Sequence, residues 1–549
     1  MNHGAVGVTH GVCALSVRSG TDREPGDDAL ATAVVAEAAE ASEASDGGTS
    51  ETMSGKAETT SVQRANLARR IGTGRGYVPH YRGLVQSPPV PERFRPLLRA
   101  TSELAERFAG AGRRLYVVGG SVRDALVPAG ALAEPDIDLT TDARPDEIER
   151  LVGGWADDVW TQGARFGTIG SRRAGQIFEI TTHRAEVYVP ESRKPEVQFG
   201  DDIVEDLSRR DFTINALALR LPDMELVDPF DGLGDLAAGR LRTPLDPEVS
   251  FGDDPLRMLR AARFIARFSL KPDPALEVAV EAMHDRLSIV SKERIRDELD
   301  RILLLATPSD ALWFVVRTGL SGDFLPELPG LALEQDPIHR HKDVLAHTLA
   351  VVDKTSPDRL LRLAALFHDV GKPRTRAITD GGVTFHHHEV VGARMTRTRM
   401  EALRYSAADI DTVVRLVELH LRFHTYRLGW TDKAVRRYVR DAGPHLDRLN
   451  ELTRCDCTTR NVGKARSLAR RMDELQSRIE ELREQEELDS LRPDLSGNEV
   501  MALLEIPPGP AVGRALSFLM ELRLDEGPLG AEEATRRVRE WWATTQAGH

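Results

Sequence analysis

Two aspartates spaced i and i+2 are the first residues in this chain whose types and spacing point to chemistry. In Asp136-Ile-Asp-Leu-Thr140 polar and apolar residues alternate, and the period of two in a strand puts Asp136 and Asp138 on one face with Ile137 and Leu139 behind them. Two adjacent carboxylates repel unless a cation lies between them, and hard oxygen ligands suit Mg²⁺. Taken alone, the pattern also fits a solvated edge strand. Glu179, in Phe178-Glu-Ile-Thr-Thr-His183, is a candidate third carboxylate and equally an ordinary surface glutamate. Upstream, Leu115-Tyr-Val-Val-Gly-Gly-Ser-Val-Arg-Asp124 reads as a buried strand ending at Gly119 and Gly120, with a helix beginning near Ser121. A turn without side chains lets backbone N–H groups approach a triphosphate, and Arg123 is expected in the first helical turn facing the same anion. A Gly-Gly pair by itself is more often only a tight turn; its place just before the carboxylates favours the anion site.

A second group is cationic. Arg209, Arg210, Asp211 and Asn215 surround a short apolar segment, and Asp254, Arg257, Arg260 and Arg263 follow at steps of three, expected on one side of a helix. Leu256, Leu259 and Ala262 supply the neighbouring apolar stripe. This is the pattern of a salt-bridged surface helix. It also sets an acceptor, Asp254, three residues from a donor, Arg257, as reading a nucleobase edge requires.

A third group lies in the second half. The stretches His339 to His347, Leu366 to Lys372 with adjacent His368-Asp369, His386 to Glu389, Val417 to His424 and Cys455-Asp456-Cys457 carry imidazoles and carboxylates on successive helices, a composition that suits a divalent metal. His341 could take the place of His347, and the Lys372 to Arg376 cluster is either a phosphate contact or a solvated turn. Cys455 and Cys457 are too close together for a zinc knuckle.

The elements that must position these residues change character along the chain. Short apolar runs at Leu115–Val118, Asp136–Thr140, Gln176–Thr181 and Asn215–Arg220 read as strands, so the front is α/β. From Asp254 onward the periodicity is helical, over 258–268, 292–305, 311–318, 359–367 and 408–420. Leu468, Met472, Leu475, Ile479 and Leu482 alternate steps of four and three, a seam that serves as a packed face or a dimer contact. The segment Ile506 to Leu516 is a Pro/Gly turn into a helix.

A length of 549 residues implies roughly three to five folding units and excludes a single small binding module. The first 60 residues carry ten acidic and three basic side chains and no aromatic one, which predicts a disordered acidic tail. The remainder is close to neutral, so any nucleic-acid surface must be a local patch. Three cysteines, no leader pattern and no long apolar run predict a soluble cytoplasmic protein without a membrane span.

Taken in order, Leu-Tyr-Val-Val-Gly-Gly-Ser-Val-Arg-Asp, Asp-Ile-Asp-Leu-Thr, Arg-Arg-Asp-Phe-Thr-Ile-Asn-Ala and Asp-Asp-Pro-Leu-Arg-Met-Leu-Arg-Ala-Ala-Arg-Phe resemble the class II tRNA nucleotidyltransferases. That family includes CCA-adding enzymes and bacterial poly(A) polymerases. Beyond the tail and linker that composition sets at 1–75, the resemblance implies an α/β nucleotidyltransferase head at 95–245 and an all-α neck at 246–330. It further implies an HD domain at 331–460 and a helical C-terminal region at 461–549 that contacts tRNA. Asp136 and Asp138 match Mg²⁺ ligands, joined by Glu179 as a catalytic carboxylate. Gly119, Gly120, Arg123, Arg210, Arg260 and Arg263 match nucleotide-binding positions, and Asp254 with Arg257 the pair that reads CTP and ATP. Asp253 stands where the family often has Glu. The helical half resembles HD phosphohydrolases, implying an unidentified divalent metal on His347, His368, Asp369 and Asp456, with His388 and His420 for a second metal or phosphate. The expected function is addition or repair of the tRNA 3′-CCA end; A-only or poly(A) addition shares the same motifs, and the alternative of another class is an HD phosphohydrolase with an RNA-binding front half. Oligomeric state is left open.

Overall fold

The computed structural model describes residues 92–127, 136–184, 199–333, 343–379, 382–425, 430–457, 462–486 and 491–547. The expected acidic tail and His341 lie outside the described residues. Residues 92–100 form a short turn, Glu92–Phe94, and the beginning of the helix Arg95–Gly110.

The front half is built on a seven-stranded sheet: β1 (Leu115–Val118), β2 (Asp136–Thr141), β3 (Asp158–Trp160), β4 (Thr168–Arg173), β5 (Gln176–Thr182), β6 (Ala218–Leu221) and β7 (Glu225–Val227). Their spatial order is β3-β4-β5-β2-β1-β6-β7, and only β2 and β5 run parallel. Alternation decides which face is dry. Ile137, Leu139, Ile169, Phe178 and Ile180 are buried on one face, beneath the helix Pro145–Val152, while the residues between them point the other way. Part of that second face is covered too. The short helix Ile203–Ser208 sets Ile203 and Leu207 on Tyr116, Val118 and Ala218, and Tyr116 is in register with Thr140.

The expected strand over Asn215–Arg220 begins only at Ala218. Residues Thr213–Asn215 instead form a 3-10 turn, because Asn215 is drawn into a polar junction, donating to Asp211 (2.9 Å) and accepting from Arg123. Among the described residues beyond β7, strands occur in two short pairings, Arg240–Leu241 with Lys271–Pro272 and Ala377–Thr379 with Gly382–Thr384, and the other elements are helical. One continuous apolar core runs from Phe212 to Leu482. Met472, Leu475, Ile479 and Leu482 are buried in it, so the heptad seam of the helix Val462–Glu486 is a packed face within the chain, lying on Asp432–Ala442 and Leu446–Asp456. A smaller cluster, with Phe518 stacked on Trp541 at 5.0 Å, closes the C-terminal helices.

The arginine helix spans Leu256–Phe268 and does not include Asp254. A residue before proline is pushed out of the helical region, and Asp254, preceding Pro255, is extended at φ −141° and ψ 99°. Three residues also fall about 60° short of a full turn, so side chains at steps of three drift around the helix. Arg257 and Arg263 therefore face different surroundings. Arg263, expected at the nucleotide, is buried in the neck, where its Nε donates to Glu298 Oε1 at 2.5 Å.

Removing one partner of a buried ion pair strands the other. Glu298→Ala is expected to lower unfolding stability by about 3–5 kcal/mol in urea titration, and the double change Arg263→Met with Glu298→Leu to recover most of that loss.

Candidate functional site

The parallel junction of β2 and β5 creates the first site. Asp138 is in register with Glu179, so Asp136, Asp138 and Glu179 share the face that the apolar helices leave open. One oxygen of Asp136, Oδ1, is buried and has no hydrogen-bond partner, as a carboxylate shaped for a cation would. Two residues farther along each strand, Thr140 and Thr181 continue the face. Thr140 Oγ1 donates to Thr181 O (3.1 Å), Thr181 Oγ1 lies 2.9 Å from Thr168 Oγ1, and Arg184 donates to Thr168 Oγ1 (3.2 Å).

Thr140 and Thr181 floor a cavity of about 370 Å³ that Arg184, Arg209, Arg210 and Arg257 line, together with Asp206, Asp253 and Asp254. The helix Ile203–Ser208 brings Arg209 and Arg210 there, since it packs beside β1 on the carboxylate face. The Nε atoms of Arg184 and Arg210 are buried without hydrogen-bond partners. Donors left in that state fit an anionic ligand. Gly119 makes room for them: its φ is +67°, and a Cβ there would lie 2.8 Å from Arg210 Nη1.

The cavity differs from the sequence expectation in several members. Arg123 is turned inward at 2% exposure, bonded to Asp124 and Asn215 and stacked over Phe264 and Phe268, because the neck helix packs against it. It does not face the anion site; Arg210 covers Gly119 instead. Arg260 forks onto Asp211 Oδ2 at 2.9 and 2.6 Å. Burial alone would raise the Asp211 carboxyl, but the Arg260 charge and the hydrogen bonds from Asn215 and Arg260 override it and hold it at about 2. Asp254 and Arg257 both line the cavity but are anchored separately, Asp254 to Arg294 (2.9 Å) and Arg257 to Ser250 Oγ (2.9 Å) and the Arg209 carbonyl. Thr140, Thr181, Asp206 and Arg184 were not anticipated. The strand period could have revealed the threonines, two residues beyond Asp138 and Glu179.

The second site gathers helix ends. His347 lies in Val344–Lys354, His368 and Asp369 follow Arg359–Phe367, His388 opens His388–Ala402, His420 follows Ala407–Leu419 and Asp456 closes Leu446–Asp456. Two triads of potential ligands result, His347 with His368 and Asp456, and Asp369 with His388 and His420. Asp369 joins them. Its Oδ2 lies 3.2 Å from His368 Nε2 and 3.4 Å from His347 Nε2, while Oδ1 lies 3.3 Å from His388 Nε2. The Nδ1 atoms of His368, His388 and His420 lie 2.7, 2.8 and 2.6 Å from backbone carbonyls, which fixes each Nε2 inward. His420 Nε2 is buried without a partner. Lys372 is bonded to Asp369 Oδ2 (2.7 Å), so it neutralises this carboxylate and is not part of a solvated turn.

Burial opposes charge on His368, yet Asp369 and Asp456 outweigh it and push the imidazole up to about 10. Burial, followed by the nearby His368 charge, pushes His420 down to about 3. Opposite protonation tendencies thus meet in one cluster.

Sequence profiles of known families match three segments: the poly(A) polymerase head domain over residues 115–242, the probable RNA and SrmB-binding site of polymerase A over 269–331, and the HD domain over 343–460. The A-adding tRNA nucleotidyltransferase of Deinococcus radiodurans is 33% identical over 414 residues, spanning 72% of this chain and 92% of that protein. This chain belongs to the tRNA nucleotidyltransferase and poly(A) polymerase family. Within the family, the CCA-adding enzyme of Lactobacillus johnsonii is 38% identical over 44% of this chain and 57% of its own length. The fold is shared with the Bacillus stearothermophilus CCA-adding enzyme in complex with CTP, with a TM-score of 0.61, 20% identity and coverage of 84% of this chain and 100% of that one. Both the head and the HD segment belong to metal-dependent families, and in the HD segment two triads, His347 with His368 and Asp456 and Asp369 with His388 and His420, are grouped closely enough to hold metal.

Alanine at Gly119 must adopt a backbone region that costs roughly 1–3 kcal/mol and crowd Arg210. Gly119→Ala is expected to raise the KM for nucleotide in a transfer assay on the order of tenfold, with helix content by circular dichroism unchanged.

Proposed function

We propose that this chain builds and repairs the 3′-terminal CCA of tRNA in the cytoplasm, using CTP and ATP. The observation that carries this reading is the carboxylate row beside an arginine-lined cavity with unpartnered guanidinium donors. In the reaction, the bond from the tRNA 3′ oxygen to the α-phosphorus forms and the α–β phosphoanhydride breaks. Pyrophosphate leaves and the hydroxyl proton passes to solvent. Asp136, Asp138 and Glu179 would hold Mg²⁺. The ion supplies a lowered pKa for the attacking hydroxyl and charge stabilisation on the entering and leaving oxygens.

The chain's own side chains do the rest. Arg184, Arg209 and Arg210 neutralise the triphosphate. Asp254, oriented by Arg294 and by the Leu256 N–H (3.2 Å), accepts an exocyclic amino group, and Arg257 donates to a ring nitrogen. Cytosine and adenine satisfy both; uracil and guanine leave both mispaired at a cost of about 1–3 kcal/mol per group.

A-only addition is a second reading, favoured by the long match to the A-adding relative from Deinococcus radiodurans. The same assay separates them. Given tRNA lacking CCA, Mg²⁺ and CTP, the protein is expected to add two cytidines, with ATP then a single adenosine, and Asp138→Asn to abolish both additions. Extension by adenosine only on tRNA already ending in CC would establish the second reading; no extension would overturn both.

The HD cluster is proposed to hydrolyse a 2′,3′-cyclic phosphate or 3′-phosphate at damaged tRNA ends; His347, His368, Asp369 and Asp456 would hold one divalent ion, and Asp369, His388 and His420 a second. Bound there, the ions supply an activated water and a clamp on phosphate oxygens. In an Asp138→Asn background, Mn²⁺ titration by calorimetry is expected to give two equivalents. His420→Ala should leave one and Asp369→Ala none, and phosphodiesterase activity should vanish in both. Because ligand imidazoles must be neutral, uptake releases protons and weakens as pH falls.

A further inference from the structure

The carboxylate row continues past Glu179. Asp138 is in register with Glu179, Glu179 with Gly170, and Gly170 with Trp160, so all four occupy one line across β2, β5, β4 and β3 on a single face. At a strand spacing of about 4.8 Å, Trp160 starts two strands beyond Glu179. Its indole does not stay there. A Cβ at Gly170 would collide with Trp160 Nε1 and Cε2, so the pyrrole ring lies across the missing side chain, back toward the carboxylates. The ring is only partly buried, and β3 is the edge of the sheet.

Trp155 is the contrasting case. It is 3% exposed on the other face, with its ring edge against Phe178, and serves the core. Trp160 faces the carboxylate side, and the apolar cluster described on that side, Ile203 and Leu207 with Tyr116, Val118 and Ala218, lies over β1 and β6 rather than over β3. The arginine cavity opens along the strands from the carboxylates, at Thr140 and Thr181, whereas Trp160 flanks them across the strands. Nucleotide and acceptor need separate approaches, because in-line displacement puts the attacking hydroxyl opposite the leaving pyrophosphate.

Resting on the nucleotidyl-transfer reading, we propose that Trp160 is the stacking platform for the 3′-terminal base of the RNA acceptor, setting its ribose hydroxyl beside Glu179 and Asp138. Stacking on an aromatic ring is indifferent to base identity. That property suits an acceptor whose last base changes with each addition. Gly170 belongs to the same device, since any side chain there would lift the indole off the sheet.

The test uses the full-length protein and a tRNA minihelix ending in 2-aminopurine. Trp160→Ala is expected to raise the KM for the minihelix roughly five- to hundredfold and leave the KM for CTP unchanged. Trp160→Phe should recover most of the loss. Wild type and Trp160→Phe should quench 2-aminopurine fluorescence on binding, and Trp160→Ala should not. Unchanged acceptor KM and quenching in Trp160→Ala, or equal recovery failure with only a lowered melting temperature, would overturn the platform and leave Trp160 as packing over Gly170. Should wild type extend no acceptor, the transfer reading falls, and the platform is judged on the quenching alone.

Discussion

The alternation of side chains along paired strands governs the chemistry of the head. A strand offers every second residue to each face, and registered neighbours inherit the same choice. Burying Ile137, Leu139, Phe178 and Ile180 therefore commits Asp136, Asp138 and Glu179 to the opposite side without any further interaction to hold them there. The hydrophobic core and the carboxylate row are two consequences of one pattern. A one-residue slip of β5 against β2 would place Phe178 beside Asp138 and lose both. The parallel pairing matters as well, because β5 arrives through β3 and β4, which extend the same face outward.

Charge is distributed by a comparable either-or. Arginines near the head are spent on fixed partners or kept for a ligand, and neighbouring positions on one helix divide between the two. Arg260 and Arg263 are committed to Asp211 and Glu298, whereas Arg257 reaches the cavity. Arg184 and Arg210 retain unpartnered donor atoms. In the helical half the balance is struck differently. Imidazoles oriented by backbone carbonyls gather around one carboxylate, Asp369, and their proton affinities are forced apart: Asp369 and Asp456 raise His368 against its burial, while burial and the His368 charge lower His420.

Local patterns in the sequence carried the strands, the helices and most of the chemical residues. Asp136, Asp138 and Glu179 were legible because a period of two is a local property, and the histidines because they recur with carboxylates on successive helical stretches around an adjacent His368-Asp369 pair. What was not legible depended on distant partners. Nothing near Arg263 signals Glu298, thirty-five residues away, and nothing near Arg123 signals Phe264 and Phe268. The exit of Asp254 from the helix was readable from Pro255, but its tie to Arg294 was not. Thr140 and Thr181 were readable and overlooked, since hydroxyls draw less notice than charges.

Arg123 has a mechanical role beyond its pairing. Its guanidinium contacts the rings of Phe264 and Phe268, and Asp124, the next residue, pairs with Arg267 (3.4 Å). The helix after the glycine turn is thereby bolted to the neck helix that carries Arg257 to the cavity, and the two cannot part without breaking a buried cation from both its anion and its rings. Whatever enters beside Arg257 therefore meets a helix held rigidly in place, and adjustment on that side is left to rotation of single side chains.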